Sequence, residues 1–162
     1  IETAIRAFVL FKAKHSEATL QIVGNGSDEK RLKRLVHEEQ ITGVTFTGRI
    51  ERMEITRLYD GADIFLNTSI IDNMPVAIVE AFHAGLPVVT VKTPVMAEVV
   101  QDGVNGFLVP PGDANAIADR LLRLLQNPDR AQEMGRAGQT VARQYSEQQM
   151  VQRYEELYQR LQ

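Results

Sequence analysis

Between Ile64 and Gly85 the chain reads IFLNTSIIDNMPVAIVEAFHAG, and this stretch narrows the folds open to it more than any other. Ile64, Phe65 and Leu66 form a short unbroken apolar run, the pattern of a strand covered on both faces. Asn67 to Met74 interrupts it with turn formers, and Pro75 has its φ already set for a first helical turn. From Val76 to Ala84 only Glu80 and His83 break an apolar series, so this helix is expected to be apolar almost all the way round and to lie under a sheet. A carboxylate there needs partners, because an unpaired buried charge is costly. A ligand with two adjacent hydroxyls, such as a ribose, would supply them. The alternative is a carboxylate satisfied by nearby Thr or Ser hydroxyls. The first-turn N–H groups of the same helix face the mouth of the loop and suit a phosphate. His83, one turn past Glu80, is read as packing.

The rest of the chain repeats the strand and helix theme. Ile1 to Phe11 is an amphipathic helix with Ile1, Ile5, Phe8 and Leu10 on or near one face and no capping residue ahead of it, which suggests a chain cut from a longer one. Strands are expected at Thr19–Val23, Val44–Thr47, Pro87–Val91 and Phe107–Val109, with helices from a Ser27 cap to about Gln40, over Glu51–Asp60 and over Met96–Gln101. Short connections between alternating elements predict an α/β fold, a parallel sheet with helices on both faces. Ligands in such sheets sit at the carboxyl ends of the strands, which points to Gly24–Ser27, Gly48–Ile50, Thr68–Val76, Thr93–Ala97 and Val109–Gly112. From about Asp113 a helical tail follows, with Asp113 or its neighbour expected to cap the first helix. Its first helix carries Ile117, Leu121, Leu124 and Leu125, its second is softened by Gly135 and Gly138, and its last carries Met150, Tyr154, Leu157 and Leu161.

At 162 residues the chain is read as one domain, long enough to bury roughly two-thirds of its unfolded surface. A net charge of −3 without a basic block argues against a nucleic-acid partner. With no cysteine there is no disulfide, thiolate metal site or cysteine nucleophile. No run approaches the roughly 20 apolar residues of a membrane span, and no cluster has metal-ligand spacing.

Three segments carry a resemblance to a known family: Asp72-Asn73-Met74-Pro75-Val76-Ala77-Ile78-Val79-Glu80-Ala81, then Ala84-Gly85-Leu86-Pro87-Val88-Val89, then Glu98 to Val109 with Gly112-Asp113. Val23–Gly26, Phe46–Gly48, Leu58-Tyr59, Ala62–Ile64 and Thr68-Ser69 support them. Together they resemble the C-terminal half of a retaining glycosyltransferase of group 1, with the two-Rossmann-domain (GT-B) architecture. The resemblance implies a Rossmann-like domain over residues 1–162 whose first strand is cut off, binding a nucleotide-diphospho-sugar donor. Glu80 matches the carboxylate that accepts hydrogen bonds from the donor ribose, and Asp72 matches the acid that contacts the transferred sugar. The family usually has glutamate at Asp72, so the carboxylate here sits about 1.5 Å further back. Backbone N–H groups on Asn73, Met74, Pro75, Val76 and Ala77 are implied to hold the diphosphate and sugar. Gly24, Gly26, Arg49 and Ile50 are implied to border the base. Pro94-Val95 replace a glycine pair that the family often has.

The family's phosphate-gripping arginine and lysine, and its acceptor site, fall outside this chain. The expectation is therefore the donor half of a cytoplasmic enzyme, attached to a membrane, if at all, through the absent N-terminal domain. It needs no metal and is inactive by itself. Two other readings stay open: a non-catalytic nucleotide-sugar-binding or interaction domain, and a sugar-nucleotide epimerase of the same build.

Overall fold

The computed structural model describes residues 1–160. Strands and helices alternate as α1 (Glu2–Lys12), β1 (Leu20–Val23), α2 (Glu29–Glu38), β2 (Val44–Gly48), α3 (Arg52–Asp60), β3 (Phe65–Asn67), α4 (Val76–His83), β4 (Val88–Val91), α5 (Pro94–Val99) and β5 (Gly106–Val109). Then α6 (Ala114–Gln126), α7 (Pro128–Ala142) and α8 (Glu147–Arg160) form the helical end. Every ladder is parallel, because each connection crosses through a helix rather than a hairpin. This is the Rossmann-like α/β architecture that the alternation predicts. In place of one sheet, however, the ladders divide into β1–β2 and β3–β4–β5.

The core is built on β4. Its four residues are all buried, with alternate side chains serving opposite faces. Val88 packs with Ile78, Phe82, Met96 and Val99 from α4 and α5. Val89 and Val91 pack with Ala7 of α1, Ile117 and Leu121 of α6, and Met134 of α7. Helices on both faces explain why β4 reads as a continuous apolar run.

Several expectations are corrected. In α1, Ile5 and Phe8 are buried, but the face they share is completed by Ala4 and Ala7, while Ile1 and Leu10 are exposed. The alanines let α1 lie close against α6. Asp28 rather than Ser27 precedes α2, and its side chain makes no cap bond. Pro75 stands at the N-cap of α4 instead of inside its first turn. The next helix begins two residues earlier than Met96, because Thr93 Oγ1 accepts the Met96 N–H at 3.2 Å and Pro94 fits the first helical position. Asp113 caps α6 as expected, accepting the Ala116 N–H at 2.8 Å, although Leu125 faces solvent. Gly135 and Gly138 do not soften α7. They are buried, and a Cβ on Gly135 would overlap the Gly85 carbonyl while one on Gly138 would overlap the Phe82 ring. Both let α7 press onto α4. In the last helix Leu157 is exposed; of the rest of the expected stripe, Leu161 and the side chains of Met150 and Tyr154 lie outside what is described.

Candidate functional site

The strand tips gather the candidate residues in two groups. In the first, Gly24 takes a φ of 102°, which only glycine adopts without strain, and its N–H donates to the Gly48 carbonyl at 2.9 Å. That bond fastens the end of β1 to the end of β2 and sets Gly24–Gly26 beside Arg49 and Ile50. A side chain at Gly24 or Gly26 would meet no neighbour, so both face open space. Arg49 is exposed and makes no ion pair among the described residues.

The second group is the corner from β3 to α4. Its loop is tied down by its own side chains: Asn67 Oδ1 accepts the Ser69 N–H at 2.8 Å, and Ser69 Oγ donates to the Ile71 carbonyl at 2.9 Å. Asp72 Oδ1 accepts the Met74 N–H at 3.0 Å, so one oxygen of this carboxylate holds the loop and the other remains for a ligand. Four apolar side chains, Ile70, Ile71, Met74 and Val76, stand exposed around the corner.

The five positions from Asn73 to Ala77 do not offer equivalent donors. Pro75 has no N–H. The Met74 N–H is taken by Asp72, and the Val76 N–H donates to the Met74 carbonyl at 2.8 Å. Ile78 and Val79 both donate to the Pro75 carbonyl, at 3.0 and 3.1 Å. Among the described residues, the N–H groups of Asn73 and Ala77 are without a partner and lie at the positive end of the α4 dipole. Those two are the N–H donors that the local geometry leaves available to an anion.

Glu80 corrects the physical picture drawn from sequence. α4 is not apolar all round in its setting: Ile78, Val79, Ala81 and Phe82 are buried, whereas Val76, Ala77, His83 and Ala84 are exposed and Glu80 is half-buried between the two faces. The carboxylate therefore carries no deep-burial penalty, and His83 is not a packing residue. Glu80 has a protein partner that sequence reasoning missed. The Tyr59 hydroxyl donates toward Glu80 Oε2 at 3.3 Å and lies 3.2 Å from the Ala77 carbonyl. Burial, then the charge and hydrogen bond of Glu80, push the Tyr59 phenol well above its ordinary value, so it stays a donor. In sequence, Tyr59 shows only as an aromatic in the last turn of a polar helix and within the Leu58-Tyr59 pair that supports the resemblance. No feature there ties it to a residue 21 positions away.

Lys92, after β4, is exposed and forms no ion pair among the described residues. No group of three or more His, Cys, Asp or Glu that could hold a metal gathers among those residues. An open groove against Phe46, Val44 and Ile41 lies between α2 and the start of β2, away from the strand tips. No described helix is long and apolar enough to cross a membrane.

Comparison with known proteins agrees with this fold. The family model for Glycosyl transferases group 1 matches residues 1–141. The amylovoran biosynthesis glycosyltransferase AmsK of Erwinia amylovora is 36% identical over 130 residues, which cover 76% of this chain and 32% of that protein. This chain thus spans about a third of that curated relative. The crystal structure of Anabaena Alr3699/HepE in complex with UDP is 26% identical, with a TM-score of 0.78 over 88% of this chain and 40% of that one. The C-terminal domain of the glycosyl transferase group 1 protein LpcC from Francisella tularensis has the same fold at 24% identity, with a TM-score of 0.77 over 86% of this chain and 75% of that one. With the α/β fold, the spacing of Asp72 and Glu80 and the family match over most of its length, this chain belongs to the glycosyl transferases group 1 family.

Proposed function

We propose that residues 1–162 form the donor-binding half of a retaining glycosyltransferase, whose other half supplies the acceptor site. The observation that carries this reading is the β3–α4 corner: two carboxylates eight positions apart, flanking unpartnered N–H groups at a helix start, in a chain of this family. Glu80 accepts the ribose hydroxyls, the Asn73 and Ala77 N–H groups meet the diphosphate, and the second oxygen of Asp72 meets the transferred sugar. Gly24, Gly26, Arg49 and Ile50 border the base. UDP in the HepE structure supports a nucleoside diphosphate as the ligand class. Negative charge on the leaving diphosphate is met by N–H groups, the helix dipole and exposed cations such as Lys92, and the reading calls for no metal. Closing a second domain over this corner would exclude water from the reacting sugar. This half alone transfers nothing. The edges of β1 and β3 that pair with no strand fit a further strand of the same protein inserted between them. The reading places the enzyme in the cytoplasm, joined to any membrane through its other domain.

One observation favours a second reading. Because Asp72 is shorter than the usual glutamate and holds its own loop, the domain binds a nucleotide sugar without transferring it. A thermal-shift panel of UDP, GDP and ADP with their sugars on the protein as encoded tests both. Selective binding to the native state raises the midpoint. Glu80→Gln is expected to lower donor affinity by about tenfold or more, the scale of losing charged hydrogen bonds to a diol. No shift with any nucleotide, or unchanged affinity in Glu80→Gln, contradicts the reading. Glycoside formation with a bound donor separates transfer from binding alone.

A further inference from the structure

We propose that Tyr59 is the positioning residue for Glu80, holding its carboxylate toward the ribose diol; this rests on the donor-site reading above. Tyr59 is fixed at both ends. Its ring packs at a tilt against Phe65 of β3, with centroids 5.8 Å apart, and belongs to the edge of the core beneath α4. Its hydroxyl reaches over the first turns of α4 to Glu80 Oε2 and the Ala77 carbonyl. The phenol has one proton for two acceptors. Ala77 O already lies in the helical ladder, where the Ala81 N–H is its partner, so the ionised carboxylate is the stronger claimant.

The chemistry suits a diol. Among the described residues Glu80 forms no ion pair and takes no other side-chain hydrogen bond. A carboxylate offers about four acceptor positions, and one neutral donor occupies one of them. Oε1 and the second lone pair of Oε2 remain for two hydroxyls. A lysine or arginine in Tyr59's place would neutralise the charge that makes those bonds strong; the phenol fixes the rotamer and leaves the charge. Tyr59 also links the two groups of site residues. It sits in the last turn of α3, whose cap, Glu51, directly follows Arg49 and Ile50. The loop that borders the base and the carboxylate that reads the ribose are thus held by one helix.

The test is titration calorimetry on the protein as encoded, with UDP, GDP and ADP each compared with its 2′-deoxy counterpart. Tyr59→Phe keeps the ring and removes only the hydroxyl. It is expected to lower affinity for the ribonucleotide by about 3- to 10-fold and to shrink the preference for ribose over deoxyribose. Glu80→Gln abolishes that preference, and the double variant behaves as Glu80→Gln does. Because the preference compares two ligands on one protein, general loosening of the fold lowers both affinities and leaves the ratio alone. A Tyr59→Phe protein with the wild-type ratio overturns the proposal. If Glu80→Gln keeps the ratio, or none of UDP, GDP and ADP binds the wild type, the donor-site reading fails and takes this inference with it.

Discussion

The β3–β4–β5 half and the β1–β2 half of this chain use the same strand–helix unit and reach very different depths of burial. β4 has a bonded neighbour on each side and helices on each face, and all four of its residues are buried. β1 has one neighbour, and its residues alternate between half-buried and exposed. α2 buries only Leu32 and α3 buries nothing, whereas α4 buries four residues and is braced by the two glycines of α7. Local sequence already separates the two halves, since α4 (VAIVEAFH) is apolar where α2 (EKRLKRLVHE) and α3 (RMEITRLYD) are largely polar, and the number of layers each strand acquires follows it. On the donor-site reading, the ribose and phosphate end of a ligand meets the braced half, and the base end meets the loosely held one.

Matched substitutions sharpen the contrast. Phe82→Ala in the braced half removes a fully buried ring and is expected to cost about 4 kcal/mol in urea unfolding. Ile22→Ala in β1, where the side chain is only half-buried, should cost about 1 kcal/mol. Equal losses would show that the halves are not energetically distinct. Gly135→Ala comes next, at about 2–3 kcal/mol, because its methyl meets the backbone of Gly85 and neither helix yields cheaply. A neutral result would mean that α7 rides loosely on α4.

The smallest effect is on pH. The Arg31 and then the Arg6 hydrogen bond hold the Glu2 carboxyl below its usual range, and Arg31 does the same for Asp28. Carboxyls lowered by folding stabilise above their unfolded pKa, and the contribution fades as pH falls through the folded value. All of these groups are exposed, so the loss on acidification below about pH 4 is slight. Its place is specific: amide exchange in α1 and α2 should accelerate before that in α4 and β4. Acceleration beginning in β4 would reverse the assignment of strong and weak halves.

Element order was readable from the chain because polar turns fall cleanly between apolar runs. Asp113 before a stripe of Ile117, Leu121 and Leu124 announced a capped helix, and the structure has it. Exposure was harder to read. Leu10 and Leu125 follow their helical faces closely enough to be expected inside, yet neither finds a partner, since periodicity does not reveal where a neighbouring helix ends. Gly135 and Gly138 looked like weakness because propensity treats a helix in isolation; the Gly85 backbone and the Phe82 ring pressed against them are 50 or more residues away. Glu80 was singled out for a reason only partly right. Its place on α4 came from the helix and the resemblance, but the expected all-round burial is not found, and nothing in the sequence linked Tyr59, its side-chain partner among the described residues, to it.

The most direct test maps amide chemical shifts while the 15N-labelled protein as encoded is titrated separately with UDP, GDP and ADP. The account predicts that one of them moves Asn73 and Ala77 most, with Glu80, Gly24, Gly26 and Ile50 following. Shifts gathered instead at the Phe46–Ile41 groove, or none with any of the three nucleotides, would contradict it.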